Sequence, residues 1–270
     1  MKYGLGRVID ETARVELIVT ASPFELEMFG TFKAPLEIDH RGWLKVENQR
    51  NMGSCSGHAI AYIQAVLNYL KTKSIIQLSR MFGYLAGQQM DGLLGQDNGA
   101  TITGSVKGAM QLGCCLETTF PYPDRYTQTI PQAAKDEAIG HLIQKHAIMR
   151  NYADCFAWLA TGTGAIEIGI MWTASLADNK TGVIDQQTGS TYGGHALAVV
   201  GFSTRTDSQG RKYLWMINSH DVTWGKNGWA EVAPALFDKW CRDGQSEVIG
   251  VTDLKVFGSQ RWIGKFDLAI

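Results

Sequence analysis

The chain has 270 residues, of which 45% are hydrophobic and 19% are charged, and these proportions indicate a globular protein that can bury a full core. Its formal net charge of −1 disfavours nucleic-acid binding, because contact with a phosphate backbone needs an excess of basic residues. The sequence has no apolar run long enough to span a bilayer and no signal-like segment after Met1. We therefore expect a cytoplasmic protein with neither a nucleic-acid nor a membrane partner.

The cysteines point to a reducing compartment. Their number is odd, no two are spaced as CxxC, and the adjacent pair at 114 and 115 is poorly placed to form a bond. Cysteine and histidine show no metal-ligand spacing either. We expect free thiols, no disulfide, no metal and no cofactor; the cysteines are Cys55, Cys114, Cys115, Cys155 and Cys241.

The first half of the chain is predicted to be helical. Residues 1–34 form a polar leader with weak alternation at Val15, Leu17 and Val19, which indicates an edge strand or a surface segment. After the leader, apolar side chains recur at helical spacing, and the prolines at 121 and 123 stop regular structure. The predicted helices run from Cys55 to about Lys71 and over roughly 78–89, 103–112 and 132–146, with a Gly-rich loop at 92–99.

The second half is predicted to be rich in strands. The segment 195–202 is apolar on both faces, so we expect it to be buried, and a turn at 206–210 would join it to 213–217 as a hairpin. The further predicted strands are 165–172, 228–232 and 248–257. The pattern predicts an α+β fold, with a domain at 35–270 whose helical lobe covers about 40–130 and whose β-rich lobe covers about 131–270. A cleft between two lobes is a natural place for a functional site.

Cys55 is the first candidate for chemistry. It follows a Gly-Ser turn at the start of the first long predicted helix, where the helix dipole and free backbone N–H groups lower the pKa of a thiol. Gln49, six residues upstream, supplies an uncharged donor that can fold back toward the sulfur. A buried cysteine that only fills the core is the alternative interpretation of this stretch.

A nucleophilic cysteine needs a base and a group that orients the base. His195 follows Gly193 and Gly194 and opens the buried strand 195–202, although a lone histidine there can also be a core residue. Asn218 ends the next strand, and the predicted hairpin would bring it beside His195. The remaining histidines suit other roles: we expect His141 and His146 on a polar helix, His40 in an entry loop, and His58 to pack or cap.

Several blocks of sequence occur in an order that resembles the papain-like cysteine peptidases of the C1 family, and in particular their bacterial and viral branch without disulfides. The resemblance spans roughly residues 35 to 257. The blocks are Asp39-His40-Arg41, Asn48-Gln49 through Cys55, Leu78-Ser79-Arg80, Asp97 through Ile102, Phe120-Pro121-Tyr122, Gly194-His195-Ala196, Asn218-Ser219, Trp224-Gly225 and Asn227-Gly228-Trp229.

The resemblance implies a two-lobed fold with a helical left lobe, an antiparallel β-barrel-like right lobe and an active site between them. It implies a cysteine endopeptidase that acts on a polypeptide substrate. Cys55 would be the thiolate nucleophile, His195 its ion-pair partner and the acid for the leaving amine, and Asn218 the group that holds the imidazole. Gln49 and the Cys55 backbone N–H would form the oxyanion hole.

The same resemblance assigns substrate-binding positions. Gly99, beside Asn98 and Ala100, would offer backbone hydrogen bonds to an extended peptide, as in β-strand addition, and all three are expected to bind substrate. Gly194 and Trp224 would also be substrate-binding residues. It also favours a bacterial or phage origin.

The sequence departs from the family pattern at three positions. Ser56 replaces an aromatic residue after the nucleophile, and Met52 replaces a half-cystine. His220 replaces the tryptophan that shields the His–Asn bond, so we expect water to reach the bond between His195 and Asn218. Residues 1–34 would be a short propeptide-like extension that lies on or near the cleft and restrains access.

Two other functions remain open on the sequence. The domain could be a catalytically weak or inactive part of a larger assembly with protein partners, such as a phage virion, in which case a virion location is expected. It could also be a different Cys-His hydrolase, such as a cell-wall amidase or a transglutaminase-like enzyme. The spacing from Gln49 to Cys55 and the Asn218-Ser219 block favour the papain pattern.

Overall fold

The computed structural model of the chain describes residues 5–8 and 35–252. In the first half, Ser79 and Thr101 cap two helices by accepting hydrogen bonds from the backbone N–H groups of Phe82 and Gly104. The helices of this half are α1 (Cys55–Thr72), α2 (Arg80–Asp91), α3 (Ile102–Gln111) and α4 (Gln132–Ala138), with short 3-10 turns at Arg41–Trp43 and Ile139–His141.

Helix α1 is the central helix of the molecule. It is buried on all sides from Cys55 to Leu67, since it packs on α2 and on the sheet described next. A Cβ at Gly57 would overlap the backbone of α2 near Arg80 and Tyr84. Glycine at position 57 therefore allows the two helices to approach closely, which fixes the start of α1 against α2.

The second half contains a single seven-stranded sheet. The strand order is β1-β7-β2-β4-β5-β6-β3, and all pairs are antiparallel except the last, β6 with β3. The strands are β1 (Lys145–Ile148), β2 (Gly164–Thr173), β3 (Val183–Ile184), β4 (Thr191–Thr206), β5 (Lys212–Ile217), β6 (Trp229–Val232) and β7 (Glu247–Thr252). The mixed α+β class and the predicted hairpin are confirmed, but the sheet is open rather than barrel-like, because β1 and β3 remain at opposite edges.

Alternation along β4 places the sheet between two cores. Leu197 and Val199 face one apolar cluster, and Ala196, Ala198 and Val200 face the other, which contains α1. The small alanines let α1 lie close to the strand. The first cluster is covered by three helices that the sequence analysis does not predict: α5 (Tyr152–Ala160), α6 (Ala174–Ala177) and α7 (Pro234–Arg242).

Other differences from the sequence-based expectations lie at element ends. The predicted helix 132–146 ends at Ala138 and continues only as a 3-10 turn, so His146 lies in strand β1 and not on a polar helix. The predicted strand 248–257 is described only to Thr252, and Val15, Leu17 and Val19 lie outside the described residues. All five cysteines are free thiols. Within residues 5–8 and 35–252, no helix has the length and apolar character needed to cross a membrane.

Arg80 ties three segments of the helical lobe together. Its Nη1 donates to Glu47 Oε2 at 2.8 Å, and its Nε and Nη2 donate to the carboxylate of Glu117. All three side chains are at most 15% exposed. The ion pairs connect α2 to the segment that leads into the Cys55 loop, so they help to fix the position of that loop.

We expect Arg80→Ala to lower the free energy of unfolding by about 3 kcal/mol, because it leaves the Glu117 carboxylate without its counter-charge and leaves Glu47 with only the exposed Lys45. Urea unfolding followed by circular dichroism measures the change. Arg205→Ala is the matched control: Arg205 pairs with Glu231 but is 49% exposed, so its loss should cost about 0–1 kcal/mol. Equal losses in the two variants would contradict a structural role for the Arg80 network.

Candidate active site

Cys55 is the first residue of α1 and is completely buried. Backbone N–H groups of Ala196, Gly6 and Ser56 hydrogen-bond to its sulfur and act to lower the thiol pKa, as predicted for a helix start. Burial acts in the opposite direction and is stronger, so the pKa of Cys55 is raised above its ordinary value. The expectation of a thiolate favoured by its position alone is therefore wrong for this closed arrangement.

The loop before Cys55 is held by side chains from two other segments. Asp97 Oδ1 accepts hydrogen bonds from the Gly53 N–H at 2.9 Å and from the Tyr84 hydroxyl at 2.8 Å. The Tyr122 hydroxyl donates to the Gln49 carbonyl at 3.0 Å and contacts the Ser54 hydroxyl at 2.5 Å. The blocks around Asp97 and Tyr122 thus contain residues that fix the backbone on which Cys55 sits.

His195 and Asn218 lie beside each other, as the predicted hairpin requires. His195 Nε2 is 2.8 Å from Asn218 Oδ1, and that oxygen also accepts the Ser219 backbone N–H at 2.8 Å. Because Oδ1 only accepts, Nε2 carries the proton and Nδ1 is left as an acceptor. Nδ1 is buried and has no hydrogen-bond partner in the described part of the chain. Burial lowers the pKa of His195 to about 4, against an opposing effect of the Asn218 hydrogen bond.

Two rings pack against His195, and a third ring packs behind one of them. Trp172 lies 4.6 Å from the His195 ring and His220 lies 4.4 Å from it, both between ring centroids. Trp224 packs on Trp172 at 5.9 Å and donates its Nε1–H to the Leu176 carbonyl. His195 and Asn218 are fully buried, so the expectation that water reaches their bond is wrong in this structure.

His220 lies three residues beyond the end of β5 at Ile217, where its backbone forms an antiparallel bridge with Asn48. Burial lowers the pKa of His220 to about 2, so its ring is uncharged at neutral pH. A neutral aromatic ring can shield the imidazole where the family has tryptophan. Trp172, which the sequence analysis did not single out, supplies the second shielding ring.

Gln49 lies in the loop before Cys55 and is buried. Its Oε1 accepts the Ser219 hydroxyl at 2.6 Å, and its Nε2 donates to the Met52 carbonyl at 3.0 Å. The backbone N–H of Gln49 also donates to the Ser219 carbonyl at 2.9 Å. These bonds join the cysteine loop to the segment that follows Asn218, so Ser219 is a positioning residue, although the sequence analysis assigned it no role and named it only within the Asn218-Ser219 block.

Two of the predicted substrate-binding residues, Ala100 and Gly194, lie on two sides of a short segment of the chain itself, Leu5–Val8. The Ala100 N–H donates to the Gly6 carbonyl at 2.9 Å, and the Val8 N–H donates to the Ala100 carbonyl at 3.1 Å. On the opposite side, the Arg7 N–H donates to the Gly194 carbonyl at 3.3 Å. Ala100 and Gly194 are thus brought together as the two edges of one cleft.

Neighbouring positions make different contacts from those predicted. Gly99 uses its backbone groups inside the domain, where its N–H donates to the Tyr84 hydroxyl and its carbonyl accepts from the Gln88 amide. Asn98 is exposed and its side chain donates to Gln96. Trp224 is buried under Trp172. Their predicted contacts with a substrate stay predictions.

Gly6 lies in close backbone contact with Gly53 and Gly99. A Cβ at position 6 would overlap the Gly53 backbone, and a Cβ at Gly99 would overlap the Gly6 carbonyl. Gly99 also has φ +89°, a conformation that favours glycine. The segment therefore lies in direct contact with the loop that carries Cys55 and, together with Ala196, covers its sulfur.

The comparisons with known proteins agree with this geometry. A family model described as papain family cysteine protease matches residues 34–243. A peptidase C1-like protein of Acanthamoeba polyphaga mimivirus is 25% identical over 234 residues, which cover 81% of this chain and 71% of the viral protein. Peptidase 1 of Psoroptes ovis is 28% identical over 211 residues, which cover 74% of this chain and 61% of that protein.

Solved structures of cysteine proteases share the fold. Xylellain from Xylella fastidiosa superposes with a TM-score of 0.73 at 19% identity, covering 94% of this chain and 97% of xylellain. Bromelain from Ananas comosus, in complex with the inhibitor E64, gives a TM-score of 0.62 at 21% identity over 81% of this chain and 99% of bromelain. The family model covers most of the chain, and we conclude that this chain belongs to the papain family of cysteine proteases.

Proposed function

We propose that the chain is a cysteine endopeptidase that hydrolyses peptide bonds through Cys55 and His195. The observation that carries the proposal is the hydrogen bond between His195 Nε2 and Asn218 Oδ1, since it leaves Nδ1 as a base. In the reaction, Nδ1 takes the proton of the Cys55 thiol, and the thiolate attacks the carbonyl carbon of the substrate. The imidazolium then gives its proton to the leaving amine, and water hydrolyses the acyl-enzyme.

Two donors are assigned to the oxyanion that forms in this attack. One is the backbone N–H of Cys55, and the other is a hydrogen of the Gln49 amide, whose oxygen is held by Ser219. Donors of this type typically contribute about 3–4 kcal/mol each to the transition state. The Ser219 hydroxyl fixes which end of the Gln49 amide is the donor, and one of the two amide hydrogens is donated to the Met52 carbonyl in the closed arrangement.

The N-terminal leader restrains this activity in our proposal. Leu5–Val8 occupies the cleft between Ala100 and Gly194 and buries Cys55. The segment also excludes water from the cleft, which disfavours both the Cys55 thiolate and the His195 imidazolium. Burial raises the pKa of Cys55 and lowers that of His195. The segment thus blocks substrate sterically and disfavours the thiolate–imidazolium pair, and activity requires its displacement.

The same occupied cleft is the observation that favours the alternative function. A papain-like domain whose cleft is permanently closed by its own chain would serve as a structural or binding part of a larger assembly. The two functions differ in whether Cys55 becomes reactive when the segment is displaced.

Labelling by E64 tests the reactive-thiol proposal. We expect intact mass spectrometry to show one adduct on the full chain at pH 7, and a faster reaction for Gly6→Val, whose side chain cannot fit against Gly53. Displacement of the segment should raise the rate about tenfold or more. Cys55→Ala is the control and should show no adduct. An unlabelled Gly6→Val variant with a native circular dichroism spectrum would support the structural alternative.

The pH dependence of alkylation should differ between the closed and the opened chain. In the closed chain both groups are neutral, because the pKa of Cys55 is raised and that of His195 is lowered. The rate at which iodoacetamide alkylates Cys55 should then rise about tenfold per pH unit from pH 6 to 8, because the rate follows the fraction of Cys55 that is thiolate. In Gly6→Val the ion pair forms, so the rate should be nearly constant over that range. Identical pH profiles for the parent chain and Gly6→Val would contradict the proposal that Leu5–Val8 suppresses the ion pair between Cys55 and His195.

The ring of His220 should act as a neutral shield. His220→Phe preserves a ring against His195. When it is added to Gly6→Val, we expect the alkylation rate of Cys55 to stay within about twofold of the rate in Gly6→Val alone. His220→Ala removes a ring contact worth about 0.5–1.5 kcal/mol, which corresponds to a loss of roughly two- to tenfold. A large loss in His220→Phe would show that the imidazole of His220 has a specific role.

A further inference from the structure

Two cysteines meet on the side of the sheet that faces away from Cys55. The sulfur atoms of Cys155 in α5 and Cys241 in α7 are 3.6 Å apart. Cys155 belongs to the apolar cluster that α5 and α7 cover, whereas Cys55 belongs to the cluster that contains α1. The pair is therefore separate from the proposed nucleophile, and the proposed peptidase mechanism does not use it.

The two helices that carry these cysteines are fixed against each other. The backbone N–H of Tyr152, the first residue of α5, donates to Asp238 Oδ1 of α7 at 3.0 Å. Asp238 also forms an ion pair with Arg242, one turn further along α7, at 2.9 Å. Trp240 of α7 is buried and donates its Nε1–H to Gln187 Oε1 at 2.7 Å. These contacts hold α7 in place, so the two sulfurs remain neighbours in the folded chain.

A bond between the two sulfurs needs only a small movement. The sulfurs of a disulfide are about 2.05 Å apart, so this pair must approach by roughly 1.5 Å. Cys241 lies in the last turn of α7, next to Arg242, whose side chain is 67% exposed. The last turn of a helix lacks part of its backbone hydrogen bonds, and it can therefore absorb a shift of this size.

The two thiols differ in their access to solvent. Cys241 is partly exposed, whereas the other four cysteines are buried. An oxidant in solution therefore reaches Cys241 first. Burial, reinforced by the neighbouring Cys241, raises the pKa of Cys155 well above its ordinary value. Cys155 is thus protected from solvent reagents, and the group that it can attack is the sulfur beside it.

We propose that Cys155 and Cys241 are a reversible modification site, which a hydroperoxide converts to a disulfide between α5 and α7. The Cys241 sulfur attacks one peroxide oxygen, the O–O bond breaks, and a sulfenic acid forms at Cys241 while the other oxygen leaves as water or an alcohol. The Cys155 sulfur then attacks the sulfenic sulfur, and the displaced hydroxyl leaves as water with the Cys155 proton. The peroxide accepts the two electrons that the thiols lose, and a thiol reductant reverses the bond.

The disulfide would connect two helices that are distant in the sequence. Its cysteines are 86 positions apart, and both helices cover the same apolar cluster. Closing a long loop removes conformational entropy from the unfolded chain, so the oxidised protein should be the more stable form. Oxidation would therefore change the stability of the β-rich lobe and leave the cleft on the other side of the sheet open to the same ligands.

Thiol counting after peroxide treatment tests the site. The full chain carrying Cys55→Ala retains four of its five cysteines and lacks the proposed nucleophile. It is treated with hydrogen peroxide, denatured and alkylated with N-ethylmaleimide. We expect intact mass spectrometry to count two alkylated thiols in place of four, and dithiothreitol to restore the full count. Tryptic mapping should find one linked pair of peptides, which contain Cys155 and Cys241.

Two further variants identify the thiols involved. Cys241→Ser, at a partly exposed position, should abolish the linked peptides. Cys114→Ser is the matched control, because it alters a buried thiol outside the pair, and it should leave the linked peptides unchanged. A full count of alkylated thiols after peroxide, a sulfinic acid at Cys241 with Cys155 still free, or a linkage between two chains would each overturn the proposal.

Thermal unfolding tests the effect of the bond on stability. We expect the oxidised Cys55→Ala chain to unfold about 5–15 °C above the reduced chain, because the bond restrains the unfolded state. The same chain carrying Cys241→Ser should show no shift after peroxide. An oxidised chain that contains the linked peptides but unfolds at the same or a lower temperature would overturn the stabilising role.

Discussion

The contact between the start of α1 and strand β4 is the constraint on which the site depends. It brings the Cys55 sulfur to the Ala196 N–H, one residue from His195, although these residues are far apart in the sequence. Two features allow the approach: alanines on the facing side of β4, and Gly57 where α1 meets α2. The hairpin β4–β5 then delivers Asn218 to the other side of the imidazole. Sheet register and helix packing together fix groups that no local segment could assemble.

Burial controls the charge state of this assembly. With Leu5–Val8 in the cleft, Cys55 and His195 are both fully buried and both favour their neutral forms. A single peptide segment thus excludes substrate and removes the solvent that would support an ion pair. The energy that holds the segment comes from backbone hydrogen bonds to Ala100 and Gly194 and from the buried Arg7–Glu247 pair.

The sequence was sufficient to predict the features that depend on local pattern. The start of α1 at Cys55, the hairpin that joins His195 to Asn218, and the α+β class all follow from apolar periodicity and turn signals. Helices α5 and α7 were missed because each is nine residues long and apolar positions in short segments do not distinguish helix from strand. His146 was misplaced because the helix before it ends at Ala138.

What the sequence could not show are contacts between distant segments. Trp172 covers His195 only because β2 and β4 pair in one register, and the ring of His220 reaches His195 from a segment that is bridged to Asn48. Arg7 and Glu247 are 240 residues apart along the numbering, and neither stands in a recognisable motif. Their pairing appears only when β7, β2 and the cleft segment are placed together.

A double-mutant cycle on the Cys55 alkylation rate tests most directly whether the Arg7–Glu247 pair holds the segment over the nucleophile. Full chains carrying Arg7→Ala, Glu247→Gln or both are compared with the parent chain at pH 7. If the pair acts as a unit, each single substitution raises the rate about tenfold and the double substitution raises it no further. Rates that remain at the parent value, or effects of the two substitutions that multiply in the double variant, would contradict the account.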